Sequence, residues 1–282
     1  MQNTLLWVGA GDLAQRCVSV LDRSVWHCTA LKRHRLADSA FDELVLADVT
    51  QAQSLQNLPQ ASHVIYSATP DARTPEAYQA VYETGLKHLL GVLDPNTLQR
   101  FVFISSTSVY GPDHVPQDEH SMLKPTSFSG QIIQAAEAFL QKELASKLSI
   151  VRFSGLYGPG RQRIFTSLRQ QSLTINPALD NYANRIHIED AARVCAHVLQ
   201  HSQPSACYVA TDSTPLPLRQ LYHHISQRLN VPAPRFDAQQ AYESKHFSNQ
   251  RLLNSGFNFL YPNTLQGYDL LLDSLLSAPN ES

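Results

Sequence analysis

Short apolar runs alternate with longer amphipathic stretches through the first two-thirds of the chain. The runs Leu5–Val8, Trp26–Leu31, Leu44–Leu46, His63–Tyr66, Phe101–Ser105 and Ser149–Phe153 are strand candidates. Several are bounded by Gly, Pro or Asp, and β-branched or aromatic residues recur in them. Between them, Leu13–Leu21, Glu76–Leu90 and Ile132–Leu148 place apolar residues three and four apart, the spacing of one helix face. Strand and helix repeated in this order predict an α/β fold, a parallel sheet covered by helices on both faces.

The last third changes character. Pro204, Pro215, Pro217, Pro232 and Pro234 punctuate shorter helical patterns at about 190–200 and 216–229. The division this predicts is a sheet domain over residues 1–155 and a smaller C-terminal lobe over 156–282, interleaved with the last sheet strands. No internal repeat or low-complexity tract interrupts the pattern.

Composition adds mainly exclusions. The 282 residues hold 24 acidic and 22 basic side chains, so a net charge of -2 gives no reason to expect a nucleic acid or an anionic membrane as partner. Cys17, Cys28, Cys195 and Cys207 lie far apart, without a CxxC pair or a His at metal-ligand spacing. They read as small thiols in a reducing compartment, and no metal site is expected. The sequence has no run of about 18 apolar residues and passes from Met1 into a strand without a basic leader, which predicts a cytoplasmic protein with no membrane span.

The first candidate for chemistry is the turn Gly9-Ala10-Gly11-Asp12-Leu13-Ala14 between the first strand and the first helix. Gly9 permits a tight turn, Gly11 admits a pyrophosphate close to the backbone, and Ala14 is small enough for the helix to pack on the strand. The free N–H groups of the helix start, at Asp12 and Leu13, would face the phosphates. This is a dinucleotide-binding turn, and it makes the expected architecture a Rossmann doubly wound sheet with a small substrate lobe. After the second strand the chain reads Ala30-Leu31-Lys32-Arg33-His34. An NAD site usually carries an acid here for the ribose 2′-hydroxyl, whereas Arg33 suits a 2′-phosphate. NADP(H) is favoured over NAD(H) on this ground, against the alternative of a solvated basic turn.

Later segments resemble one family. Phe101-Val102-Phe103-Ile104-Ser105-Ser106-Thr107-Ser108-Val109-Tyr110-Gly111 looks like the strand and loop that carry the catalytic Ser/Thr of extended short-chain dehydrogenase/reductases, the NAD-dependent epimerase/dehydratases. Arg152 through Arg161, containing Tyr157-Gly158-Pro159-Gly160, resembles their R-x-x-x-x-YGPG segment, and Arg185 through Ala192 their R-x-IHVDDLA segment. The resemblance covers roughly residues 4–265. It implies that Asp48, with Val49, contacts the adenine amino group, that Ala68 and Thr69 pass beneath the cofactor, and that Ser106 hydrogen-bonds a substrate oxygen. Ser105, placed beside the cofactor, and Thr107 are secondary candidates.

Two departures stand out. The family's glycine pattern is GxxGxxG, while this turn is one residue tighter and ends in Ala14. Its Tyr-x-x-x-Lys pair falls on Ser129 and Ile133, and neither can do the work of a lowered-pKa Tyr hydroxyl beside a Lys. This points to the atypical branch of the superfamily, with Ser129 kept as a catalytic candidate. Tyr110 and His187 read as packed residues rather than catalysts. His114 and Lys124 flank the loop near the missing pair and read chiefly as solvated side chains, although either type can be tuned to carry a proton. Arg161 and Arg163 suit an anionic substrate or a surface helix start equally.

Two functions fit these residues best, ahead of an enzyme that holds its nucleotide as a structural part. One is an NAD(P)-binding oxidoreductase or epimerase/dehydratase-like enzyme with a non-standard proton relay, acting on a small polar molecule, of sugar type by analogy with the family. The other is a non-catalytic NADP(H)-binding sensor or regulatory protein. A small-molecule substrate is the partner expected of the first, and a homodimer is an assembly open to both.

Overall fold

The computed structural model describes residues 2–35, 38–176, 178–179 and 181–277. Its centre is a seven-stranded parallel sheet. The strands are β1 (Asn3–Val8), β2 (Trp26–Lys32), β3 (Glu43–Leu46), β4 (His63–Tyr66), β5 (Arg100–Ser106), β6 (Leu148–Phe153) and β11 (Cys207–Ala210). They lie in the order β11-β6-β5-β4-β1-β2-β3. Parallel registers run from Leu5↔Cys28 between β1 and β2, and from Leu5↔His63 between β1 and β4. Leu5, Leu6, Trp7 and Val8 are all buried, as are Phe101, Val102 and Phe103. A strand covered on both faces needs such continuous apolar runs, which is why the six predicted strands match their observed counterparts to within two residues.

Helices α1 (Asp12–Ser19), α2 (Pro75–Gln79), α3 (Leu86–Val92) and α4 (Phe128–Leu144) connect these strands. The helix expected over Glu76–Leu90 differs in one respect: a π turn, Ala80–Gly85, sits between α2 and α3. Its physical setting is a close approach at Gly85, where a Cβ would stand 2.8 Å from Val49 and 3.0 Å from the Tyr66 hydroxyl. That hydroxyl donates to the Val81 carbonyl at 2.7 Å inside the turn. A single-turn π insertion of this kind shifts the register of a helix face without ending the helix.

The chain forms two compact units, each discontinuous in sequence. One comprises Met1–Tyr110, Met122–Arg152 and Ala192–Tyr208; the other comprises Gly111–Ser121, Phe153–Ala191 and Val209–Ser282. The chain thus passes from one to the other at 110/111, 121/122, 152/153, 191/192 and 208/209.

The second unit holds β7 (Gly155–Tyr157), α5 (Arg163–Arg169), β8 (Thr174–Ile175), β9 (Tyr182–Ala183) and β10 (Arg185–His187). Helix α6 (Ile188–Gln200) leaves it, and after β11 come β12 (Leu216–Pro217), α7 (Leu218–Leu229), β13 (Arg235–Phe236), α8 (Gln250–Asn254) and α9 (Thr264–Ser277). Its own core gathers Tyr157, Phe165, Leu168, Leu221, Ile225, Tyr268 and Leu272. Asp190 and Asp212 are both buried in this unit. Asp190 accepts from the Leu260 and Tyr261 amides, each at 2.8 Å. Asp212 accepts from the Thr264 hydroxyl and from the Thr214 amide. Among the described residues no helix is long and apolar enough to cross a membrane, and no cluster of His, Cys, Asp or Glu could hold a metal ion. Three of the four cysteines are buried thiols, and Cys207 is half-buried.

Candidate functional site

The strand order reverses direction between β1 and β4, and in open α/β sheets a crevice opens beyond the carboxyl ends of the strands at that point. A groove of the first unit lies there, with a volume of about 530 Å³, within the range of a ligand site. Its wall is built from the loops that leave the strands: Gly9 to Gly11 after β1, Arg33 and His34 after β2, Asp48 and Val49 after β3, and Ala68 to Ala72 after β4. Ala77, Ala80 and Val81 close it from the helix carrying the π turn.

Gly9 has φ +83, and a Cβ on it would stand 2.4 Å from the Ala68 backbone. Only glycine allows the β1 turn to pass this close to the end of β4. Gly11 caps α1 in an extended conformation, and a Cβ there would meet nothing, so its missing side chain leaves open space on the groove side. Ala14 is fully buried. A pyrophosphate therefore fits this cradle: bare backbone faces it, and α1 begins beside it with the N–H groups of its first turn.

Of the residues expected at the cofactor, the groove gathers Gly9, Gly11, Arg33, Asp48, Val49, Ala68 and Thr69. Asp12 and Leu13 open α1 beside it; the Asp12 side chain turns to Arg16, with Arg16 Nε donating at 2.7 Å. Asp48 uses Oδ1 to accept from the Thr50 amide and hydroxyl, at 2.9 and 2.8 Å, and keeps Oδ2 for another donor. Ser105 is not on the groove wall. Its hydroxyl is buried and donates to Glu137 Oε1 at 2.5 Å.

The residue that sequence reasoning missed is Asp71. Arg33 donates from both Nη1 and Nη2 to the two Asp71 carboxylate oxygens, a bidentate pair at the groove's edge. The hydrogen bond from Arg33 holds the Asp71 carboxyl below the usual carboxylate range, and the Arg33 charge is held correspondingly firmly. An acid thus stands at the basic corner after β2, but it arrives from the β4 loop, 38 residues away. Nothing in the local sequence announces it.

The reacting end expected by resemblance lies at the end of β5. Ser106 caps the 3₁₀ turn Thr107–Val109, its Oγ accepting from the Ser108 amide at 3.1 Å. The hydroxyl hydrogen is left to donate elsewhere, and Ser106 and Thr107 are half-buried. Beneath them Glu137 and Arg152 form a buried ion pair. Arg152 Nη2 donates to Glu137 Oε2 at 2.6 Å, and Nη1 donates to the Tyr110 hydroxyl at 2.7 Å. Burial works against the Arg152 charge, but the Glu137 contacts outweigh it and raise its pKa. Tyr110 is fully buried, a packed aromatic as its sequence context suggests.

Ser129 and Ile133 are both buried on α4. The Ser129 hydroxyl lies 3.1 Å from that of Ser127, the residue that caps the helix. At the next position, a Cβ on Gly130 would stand 2.3 Å from the Ser108 carbonyl, so α4 meets the 3₁₀ turn backbone to backbone. Lys124 is exposed. In the second unit His114 is exposed and stacks on Tyr242 at 4.6 Å, while His187 is buried between Tyr261 and Tyr157. Arg163 is exposed at the first residue of α5.

Residues 9–210 match the profile of the NAD dependent epimerase/dehydratase family. The chain belongs to that family. Among curated proteins it is similar to protein YeeZ of Escherichia coli K12, 26% identical over 196 residues, which is 67% of this chain. The chain spans 66% of the length of that relative. Among solved structures it is similar to a Methylobacillus flagellatus protein assigned to the NAD-dependent epimerase/dehydratases, with 30% identity, a TM-score of 0.82 and coverage of 98% of this chain and 100% of that one. The UDP-glucose 4-epimerase of Thermus thermophilus, solved with NAD, shares the fold at 16% identity and a TM-score of 0.77, over 98% of this chain and 99% of the other. Membership accounts for the Rossmann architecture and for a nicotinamide dinucleotide as the cofactor of the family.

Proposed function

We propose that this family member is an NADP(H)-dependent oxidoreductase or epimerase/dehydratase-type enzyme, acting on a small polar substrate through a proton relay that does not use a Tyr–Lys pair. The observation that carries the reading is the position of Arg33 on the groove wall, beyond β2, where NAD-selective sites hold an acid. Arg33 would grip the 2′-phosphate with its planar fork, the bare turn at Gly9 and Gly11 would take the pyrophosphate, and Asp48 Oδ2 would accept from the adenine amino group. A bound nicotinamide supplies the hydride donor or acceptor. At the β5 end, Ser106 would donate its free hydrogen to a substrate oxygen and hold it for reaction. A sugar-type substrate is in keeping with the family.

A second reading, a non-catalytic NADP(H)-binding sensor, draws support from one observation: the buried Ser129 and Ile133 leave no titratable side chain at those two positions of α4. Turnover separates the two. Calorimetric titration with NADPH and NADH comes first, on the wild type and on Arg33→Ala. A charged hydrogen bond to the 2′-phosphate contributes about 1.5–3 kcal/mol, so NADPH should bind roughly 10- to 150-fold more weakly to the variant while NADH changes little. A panel of sugars and aldehydes with NADPH then tests chemistry. Turnover that falls in Ser106→Ala without loss of cofactor affinity supports the enzyme, and cofactor binding without any turnover supports the sensor.

A further inference from the structure

We propose that Asp71 sets the cofactor preference of this site by competing with the 2′-phosphate for the Arg33 guanidinium. The inference rests on the reading of Arg33 given above and deepens it. Arg33 follows β2 and Asp71 follows β4, and the strand order places β1 between them. Both side chains line the same groove as the Gly9–Gly11 turn, so their ion pair reaches across the end of β1. The end-on edge of the guanidinium, Nη1 and Nη2, is occupied by the two Asp71 oxygens. A 2′-phosphate can take that edge only when the carboxylate lets go.

The exposure of the pair makes that exchange feasible. The side chains of Arg33 and Asp71 are 40% and 71% exposed, and ion pairs so well hydrated hold together weakly. A phosphate near two negative charges offers the guanidinium a stronger partner than one carboxylate does. The displaced Asp71 then stands as a like charge close to the phosphate and opposes it. A cofactor with a plain 2′-hydroxyl leaves the pair intact. Asp71 therefore acts against the phosphorylated cofactor alone, moderating the preference Arg33 creates and keeping both dinucleotides within reach of one site.

Titrating wild type, Asp71→Asn and Arg33→Ala with NADPH, NADH, adenosine 2′,5′-bisphosphate and 5′-AMP tests this. Asp71→Asn keeps the side-chain shape and removes the charge. It should tighten NADPH and the bisphosphate about three- to ten-fold and leave NADH and 5′-AMP within two-fold. Unchanged NADPH affinity in Asp71→Asn overturns the proposal, as does an equal change in all four ligands, which would make Asp71 a general clasp. Weaker NADH binding in Asp71→Asn also overturns it, since Asp71 would then be a partner of the ribose hydroxyl. The underlying reading fails separately, by a wild type whose NADPH affinity is indifferent to Arg33→Ala.

Discussion

Two arginine–carboxylate pairs serve this unit in opposite ways. Arg152 and Glu137 lie under the end of β5, with side chains 7% and 5% exposed, while Arg33 and Asp71 meet at the groove's edge at 40% and 71%. The chemistry is the same and the surroundings decide what it does. Taken out of water, the inner pair is costly to separate, and its remaining hydrogen-bonding capacity is used by Ser105 and Tyr110. It fixes the strand end that presents Ser106. The outer pair is hydrated and exchangeable, which suits a ligand contact. Asp212 extends the comparison to a buried carboxylate with no ion-pair partner among the described residues. Burial pushes its pKa up to about 7, with the Thr264 hydrogen bond as the main opposing influence.

The sharpest way to break the contrast is to remove one inner partner. Glu137→Ala leaves Arg152 buried and uncompensated, and should lower the unfolding free energy by about 3–5 kcal/mol in urea titration. A loss below about 1 kcal/mol would mean that water reaches the pair. Asp212→Asn comes next. The raised folded-state pKa means that the carboxyl stabilises the fold fully below its unfolded pKa near 4, and that this stabilisation is lost as pH rises through about 7. Across that window the variant should gain on the wild type by on the order of 3 kcal/mol, seen as melting curves that converge or cross between pH 4 and 8. A constant difference would place the Asp212 pKa in the ordinary range.

His63 gives a smaller effect of opposite sign. Burial, reinforced by Arg100, depresses its pKa to about 4. Its contribution is present above pH 6.5 and lost as pH falls towards 4. His63→Gln should flatten the acid limb of the stability profile by roughly 1–3 kcal/mol. The smallest effect belongs to the outer pair. Asp71→Ala should leave the melting temperature unchanged within error while still changing the ratio of NADPH to NADH affinity. A larger stability change would show that the pair is structural after all.

The parallel strands were legible because burial on both faces leaves a run that polar residues cannot interrupt, as in Leu5–Val8 and Phe101–Phe103. The glycine turn was legible for a related reason: Gly9 answers to a clash with the Ala68 backbone that any other residue would meet. What escaped reading was produced by distance in sequence. Asp71 meets Arg33 only because β4 and β2 flank β1, and Ser105 meets Glu137 only because α4 packs against β5. The π turn escaped because the 76–90 periodicity records only that one face is apolar. It does not register a single extra residue at the contact of Gly85 with Val49.

The contact at Gly130 limits what α4 can accept. With α4 seated on the Ser108 carbonyl at a distance that excludes even a methyl group, the helix has no slack in which to slide or roll. Ser129 and Ile133 are sealed in at 7% and 6% exposure. A tyrosine and a lysine introduced there would find their volume already taken, so two substitutions alone would not seat such a pair at these positions. The packing around Ser129, Gly130 and Ile133 would have to be remade first.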